Sequence, residues 1–231
     1  VADYYSNKFD SMDDKSGDNF YDFSANEFVI LRSESGKLVD KLMAIPLPTD
    51  ILELRKIPYV SIGHGENTFK PYNIEQECAF ALMNDDNIKI KLLTGIAGSG
   101  KTKIAIKFGL QKLKRREIQK LFFVRNPVSV GEEVGFFKGD KDTKVLNWSN
   151  PIKDNIEDKF ETLEDMIERG KVEVDIPATM KGRDIKNSWI IVDEAEDLTE
   201  EQFKMIGERV LFGSYIIFTG DLSQITKEKY K

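Results

Sequence analysis

Short apolar runs alternate with turn residues and amphipathic stretches along the chain. Apolar runs within residues 27–32 and 37–42 flank a Gly-containing turn, which predicts a β-hairpin, and residues 51–57 predict a third strand. From Phe69 onward, continuous apolar strands alternate with helices, a pattern that indicates a parallel sheet covered on both faces. The predicted strands of this sheet are 88–94, 121–124, 172–174, 189–192 and 215–218, and the predicted helices are 73–83 and 102–116.

This pattern divides the chain into three predicted segments. Residues 1–25 are rich in Asp, Asn, Ser and Tyr without a clear period, which favours an acidic arm or linker. Residues 26–66 form a predicted small β subdomain, which is too short to bury a large core of its own. Residues 67–231 form the main domain, and its predicted fold class is α/β.

Composition excludes several classes of function. A chain of 231 residues has room for one substantial core and a small appendage, but not for two full nucleotide-binding domains. The single Cys, Cys78, excludes an internal disulfide and a Cys-based zinc site, and it fits a reducing, cytoplasmic compartment. The single His, His64, excludes a multi-histidine metal centre. No run approaches the ~18–20 apolar residues of a membrane span, so we expect no membrane partner.

The net charge of −6 conceals an uneven distribution of charge. Residues 1–25 carry six Asp against two Lys, whereas residues 101–125 carry nine Lys or Arg against one Glu. This basic stripe indicates either contact with nucleic acid or the ordinary solvated face of a helix. Three aromatic residues of the long connection also have two interpretations, stacking on bases or packing within the protein: Phe136, Phe137 and Trp148.

The strongest chemical signal is the sequence GIAGSGKT at residues 95–102, which lies between a predicted strand and a predicted helix. In such a P-loop the glycines let backbone N–H groups approach phosphate oxygens, and the helix N-terminus favours the same anion. Lys101 would reach the β- and γ-phosphates, and the Thr102 hydroxyl would bind Mg²⁺. The predicted nucleotide-binding residues are Gln76, Gly95, Ala97, Gly98, Ser99, Gly100, Lys101, Thr102 and Lys103.

Carboxylates follow the buried strand 189–192, where open α/β sheets bind ligands. Asp193 would hold Mg²⁺ through water, and Glu194 would orient or deprotonate the attacking water. Gln224, after the last predicted strand, is placed to contact the γ-phosphate. Gln76 precedes the P-loop on a predicted helix behind aromatic residues, where its amide would bind an adenine edge.

In their order, these elements resemble the PhoH-like family of P-loop ATPases, which is related to the ATPase core of superfamily I helicases. Residues 125–127 with 131–140, and residues 181–189, are similar to family-typical stretches, and the likeness extends from about Phe69 to the last residue. Residues 26–62 resemble the β segment that precedes the ATPase in members fused to a PIN-type nuclease. The resemblance implies a RecA-like fold, ATP and Mg²⁺ as cofactors, coupling to single-stranded RNA binding or unwinding, and a homo-oligomeric ring.

The chain departs from the family pattern in two ways. Family members usually have Gln or a similar residue where this chain has Glu196. The family also continues past Gln224 through further strands, so we expect the ATPase domain to be truncated at its C-terminal side, with a minimal version of the domain as the alternative. Hydrolysis by such enzymes commonly needs an Arg near the γ-phosphate, often from a neighbouring subunit. Arg125 and Arg183 are candidates for phosphate or RNA contact, and Arg183 is the catalytic candidate; ordinary ion pairs are the alternative for both.

Two other functions stay open on the sequence alone. A P-loop kinase would share residues 95–102, although Glu194 beside Asp193 and the later Gln224 favour hydrolysis. A non-catalytic module would use ATP as an assembly switch, changing its oligomeric state when nucleotide binds.

Overall fold

The computed structural model describes residues 23–48, 52–65, 68–126, 149–156, 161–209 and 211–225. These residues separate into two compact units. One contains the described residues up to Ser61 together with Pro71–Ala81, and the other contains Ile62–Lys70 and the described residues from Leu82 onward. Among the described residues, no helix is long and apolar enough to cross a membrane.

The first unit is built on a three-stranded antiparallel sheet. Strands β1 (Phe28–Arg32), β2 (Leu38–Pro46) and β3 (Leu52–Lys56) lie in sequence order, with Met43 opposite both Phe28 and Arg55. The middle strand carries the buried positions, because it alone has a neighbour on each side. The predicted hairpin and third strand are therefore confirmed.

Helix α1 (Ile74–Asn84) begins at a cap in which the Asn73 side chain accepts a hydrogen bond from the backbone N–H of Gln76 at 2.8 Å. Its residues up to Ala81 belong to the first unit. Within that unit, Glu77 on the helix forms an ion pair with Lys41 on β2.

The second unit contains a five-stranded sheet in which every pair of neighbours is parallel. Its strands are β4 (Ile90–Thr94), β5 (Lys120–Arg125), β6 (Val172–Asp175), β7 (Ser188–Asp193) and β8 (Tyr215–Gly220), in the order β4-β8-β7-β5-β6. Because neighbouring strands are parallel, their carboxyl ends meet at one edge of the sheet, and this edge carries the predicted site.

Helices pack on both faces of this sheet at its central strands, as the continuous apolar runs of those strands predict. Helix α2 (Lys101–Lys114) packs on the face that presents Trp189, whose indole N–H donates to the carbonyl of Ala105 at 3.0 Å. The opposite face presents Ile190 and Val192 to a buried apolar cluster that includes Ile206 of α5 (Glu200–Gly207). The α/β fold class is confirmed, and it is the fold of a P-loop NTPase.

The connection between β5 and β6 contains two short helices that the sequence pattern did not indicate. They are α3 (Asn150–Lys153) and α4 (Leu163–Glu168). Short 3₁₀ turns follow β6, β7 and β8, at Pro177–Met180, Ala195–Asp197 and Leu222–Gln224. The family-typical stretch 131–140 and the aromatic residues Phe136, Phe137 and Trp148 lie outside the described residues.

Candidate nucleotide-binding site

The loop between β4 and α2 has the backbone geometry that its glycines allow. Gly98 and Gly100 have φ angles of 77° and 93°, which L side chains rarely adopt, and Gly100 is the N-cap of α2. The Lys101 ammonium folds back over the loop and donates to the carbonyls of Gly95 at 2.6 Å and Ile96 at 2.9 Å. The loop therefore holds its own lysine at the helix N-terminus, where an anion would bind.

Asp193 joins three segments that are distant in sequence. Its Oδ1 atom accepts hydrogen bonds from the hydroxyls of Thr102, at 2.7 Å, and Thr219, at 2.6 Å. The residue is 5% exposed, so both hydroxyls satisfy a carboxylate that water scarcely reaches. The end of β7, the first turn of α2 and β8 thus converge on one oxygen atom.

This oxygen cluster fits the ligand preference of Mg²⁺, which takes hydroxyl, carboxylate, water and phosphate oxygens. Thr102 and Asp193 are the residues that would hold the ion. Within the part of the chain that the structure describes, no three His, Cys, Asp or Glu side chains converge as a metal cage. Mg²⁺ in nucleotide sites is usually bound by one or two protein groups together with nucleotide phosphates.

Glu194 lies directly after β7 in a left-handed backbone conformation, with φ 52° and ψ 51°. Both of its carboxylate oxygens accept hydrogen bonds from Arg125 at the end of β5: Oε2 from Nε at 2.9 Å, and Oε1 from Nη2. Burial raises the pKa of Glu194, and the charge and hydrogen bonds of Arg125 oppose that rise. The Arg125 Nη1 atom also lies 3.8 Å from Asp193 Oδ2.

A third carboxylate, Asp221, follows β8 and organises the turn that carries Gln224. It accepts hydrogen bonds from the Ser223 backbone N–H at 3.0 Å, the Ser223 hydroxyl at 2.6 Å and the Gln224 amide nitrogen at 2.8 Å. The hydrogen bonds from Ser223 and Gln224 lower the pKa of Asp221 to about 2, with a further contribution from the charge of Lys101. Asp221 therefore stays ionised while it holds Gln224.

These groups surround one cleft of about 210 Å³. The lining residues come from the P-loop and from the ends of β7 and β8: Ala97, Gly98, Lys101, Thr102, Asp193, Glu194, Glu196, Thr219, Gly220, Asp221 and Gln224. The structure thus brings together five residues predicted from the sequence: Lys101, Thr102, Asp193, Glu194 and Gln224.

Glu196 is a lining residue that the motif reasoning did not assign to the site. Its Oε2 atom is buried, and among the described residues it has no hydrogen-bond partner. It lies against Gly220, where an added Cβ would be 2.7 Å from that oxygen. In the sequence, the one indication of such a role is that Glu196 stands at a position where the PhoH-like family usually has Gln.

Two other predicted site residues have side-chain partners within their own units. Arg183 does not line the cleft; it donates to Glu173 and, at 2.7 Å, to Asp175, both on the edge strand β6. Gln76 belongs to the first unit, where its side-chain oxygen accepts from the Tyr72 backbone N–H at 2.8 Å.

The basic stripe is not a uniform surface feature. Lys107 and Lys112 are buried, and the Lys112 ammonium pairs with Asp86 and Glu117 while it lies 5.1 Å from the Tyr215 ring centroid. The exposed members of the stripe are Lys103, Lys114, Arg115 and Arg116. The Lys103 ammonium is 5.6 Å from the Phe69 ring centroid.

The order of the elements and the geometry of the cleft agree with a family match. A family model described as "PhoH-like protein" matches residues 68–231, well over half of the chain. The chain belongs to the PhoH-like family. The chain is 40% identical over 139 residues to "PhoH-like protein" from Synechocystis sp., covering 59% of this chain and 42% of that protein.

A second relative is "Protein PhoH2" from Bacillus subtilis, with 34% identity over 163 residues, 68% of this chain and 37% of that protein. The chain thus spans about two fifths of the length of these PhoH-like relatives. The crystal structure titled PRRSV nsp10 (helicase) overlaps at a TM-score of 0.31 and 13% identity, over 89% of this chain and 43% of that one.

Proposed function

We propose that this PhoH-like chain binds ATP with Mg²⁺ and hydrolyses it. The observation that carries the proposal is the hydrogen bond from the Thr102 hydroxyl to Asp193, two residues 91 positions apart. It brings the predicted P-loop threonine to the predicted metal-binding aspartate, at the edge of a parallel sheet where open α/β folds bind ligands. The cleft around this contact supplies both a cation for phosphates and carboxylates for water and metal.

In this proposal each side chain has a distinct role. Lys101 leaves its two loop carbonyls and places its charge on the β- and γ-phosphates. Glu194 orients or deprotonates the attacking water, and Gln224, held by Asp221, contacts the γ-phosphate. Mg²⁺, held by Thr102 and Asp193, would neutralise charge on the phosphate oxygens.

The proposal extends to RNA and to assembly on the strength of the family resemblance. We propose that turnover is coupled to single-stranded RNA, in a homo-oligomeric ring in the cytoplasm. The exposed basic residues after α2 support an electrostatic contact with phosphate backbones, since Arg115 and Arg116 both lie at the surface. Ordinary surface charge is the competing explanation for these arginines.

Release of inorganic phosphate from ATP tests the enzymatic part. We expect turnover by the wild-type chain, none by Lys101→Ala, and wild-type turnover by Lys153→Ala, which removes an exposed lysine paired with Glu164. Added single-stranded RNA should raise the rate, and the double variant Arg115→Gln with Arg116→Gln should reduce this stimulation without changing the basal rate. Formation of ADP only when an acceptor is added, without release of inorganic phosphate, would instead indicate a kinase.

Sedimentation with and without ATP measures whether nucleotide changes the oligomeric state, as the assembly-switch alternative requires. Tight ATP binding and nucleotide-dependent assembly without any phosphate release would favour the non-catalytic module. RNA that leaves the rate unchanged would remove the RNA part of the proposal while leaving ATP hydrolysis in place.

A further inference from the structure

The contact between Arg125 and Glu194 lies at the cleft, and the roles proposed above assign no part to Arg125. Strands β5 and β7 are neighbours, and their register places Arg125 directly opposite Asp193, one residue before Glu194. From this position the guanidinium reaches both oxygens of Glu194 through Nε and Nη2. A two-point, charge-assisted contact of this kind fixes the orientation of a carboxylate as well as its charge.

We propose that Arg125 is a positioning residue that holds the Glu194 carboxylate at the cleft for the attacking water of ATP hydrolysis. This inference rests on the proposed function. It assigns Arg125 a role through Glu194, in place of a direct contact with phosphate or RNA.

Glu194 lines the cleft while both its oxygens are held by Arg125, so the pairing keeps the carboxylate in the wall of the site. The left-handed backbone of Glu194, at φ 52°, is uncommon for a residue with a side chain and gives the carboxylate a fixed starting direction. A carboxylate has about four lone-pair sites, so two hydrogen bonds from Arg125 leave it able to accept one from water.

Arg125 itself is turned toward the acidic pair. Its Nε and Nη2 atoms bind Glu194, its Nη1 atom lies 3.8 Å from Asp193, and the residue does not line the cleft. The next residue, Asn126, donates from its side-chain amide to the carbonyl of Asp197 at 3.2 Å. The end of β5 therefore anchors the segment after β7 at two points, just before the 3₁₀ turn and at its last residue.

A set of four variants tests the proposal: Arg125→Ala, Arg125→Lys, Glu194→Gln and the double variant Arg125→Ala with Glu194→Gln. Steady-state phosphate release gives kcat, and equilibrium titration with a non-hydrolysable ATP analogue gives Kd. We expect Arg125→Ala to lower kcat by about 10- to 100-fold, the usual range for loss of a group that orients a catalytic ligand. Kd should stay within about threefold, because Arg125 does not line the cleft.

Two comparisons separate positioning from a general structural effect. If Arg125 acts through Glu194, its removal from the Glu194→Gln variant should cause no further loss of kcat. Arg125→Lys should recover only part of the activity, because an ammonium cannot reproduce the fork of a guanidinium. Arg169→Ala is the matched control, since it removes an exposed arginine paired with Glu161, and it should leave kcat unchanged.

Several results would overturn the inference. An unchanged or higher kcat in Arg125→Ala would show that the contact is dispensable or that it restrains Glu194. Equal losses of kcat in the wild-type and Glu194→Gln backgrounds, or a large rise in Kd, would assign Arg125 to folding or phosphate binding. Absence of wild-type turnover would refute the proposed function itself, and with it the reaction that Arg125 is proposed to serve.

Discussion

Replacement of Glu196 by Gln tests whether the charge of this carboxylate opposes ATP binding in the cleft or contributes to it. The Glu196 carboxylate lines the same cleft as Lys101 and Thr102, and its Oε2 atom is buried without a hydrogen-bond partner among the described residues. A negative charge in that position opposes the arrival of a triphosphate. The substitution keeps the shape of the side chain and removes the charge.

The size of the effect follows from the size of the cleft. A cleft of about 210 Å³ is about 6 Å across, and two unit charges at that distance repel by about 3 kcal/mol at an effective dielectric constant of about 20. Since about 1.4 kcal/mol corresponds to a tenfold change in affinity, removal of the charge should tighten ATP binding by about 10- to 100-fold. Ions in solution reduce the value toward the lower end.

Titration with a fluorescent ATP analogue in excess Mg²⁺ measures this change directly. The matched control is Glu200→Gln, an exposed carboxylate in the first turn of α5, which should change Kd by less than about twofold because water and salt screen its charge. Weaker binding by Glu196→Gln would refute the reasoning, because it would mean that the carboxylate contributes to nucleotide or metal binding.

Three further substitutions test the packing and the charges around the site. Gly109→Ala would place a Cβ 2.6 Å from Trp189, so we expect a loss of about 1–3 kcal/mol in the free energy of unfolding; an unchanged urea midpoint would contradict this packing. Thr219→Val removes a buried hydroxyl donor to Asp193 and should cost about 1.5–3 kcal/mol by the same assay, whereas wild-type stability would argue against that hydrogen bond. Burial lowers the pKa of Lys91 to about 8, so the unfolded chain binds more protons between pH 8 and the ordinary lysine pKa of 10.5. Wild-type stability should therefore rise with pH across that window by up to about 3 kcal/mol relative to Lys91→Met, and a flat difference between pH 7 and 10 would contradict the lowered pKa.

The sequence predicted those parts of the site that directly follow a strand, because the carboxyl ends of parallel strands meet at one edge of the sheet. Residues 95–102 follow β4, Glu194 follows β7 directly, and Gln224 follows β8 within four residues. The strands before Glu194 and Gln224 were visible as continuous apolar runs, and the strand before the P-loop as Ile and Leu interleaved with Lys, so the end of each strand could be located from the pattern. The structure brings these groups to one cleft.

The parts that were not predicted depend on neighbours distant in sequence. Arg125 could be assigned to phosphate or RNA, but its pairing with Glu194 needs the adjacency of β5 and β7, which the strand pattern leaves undefined. The sequence predicted Lys112 to be part of a basic stripe. It is instead buried and paired with Asp86 and Glu117, because it lies on the inward face of α2.

The ion pairs of Arg183 and the start of helix α4 both have indications in the nearby sequence. Arg183 pairs with Glu173 and Asp175, whose spacing of two residues places both acids on the same face of β6, so an ion-paired arginine was foreseeable. Helix α4 begins with a capping box formed by Thr162 and Asp165, a motif that identifies a helix start even in a short segment.

The central claim is that the cleft binds ATP together with Mg²⁺, and calorimetric titration of ATP into the protein tests it most directly. The account predicts binding by the wild-type chain in Mg²⁺, markedly weaker binding in excess chelator, and loss of binding in Lys101→Ala. Thr102→Ala should lose most of the Mg²⁺ dependence, because its hydroxyl is the P-loop group that meets Asp193. ATP affinity that is the same in Lys101→Ala, or that does not change with Mg²⁺, would contradict the account.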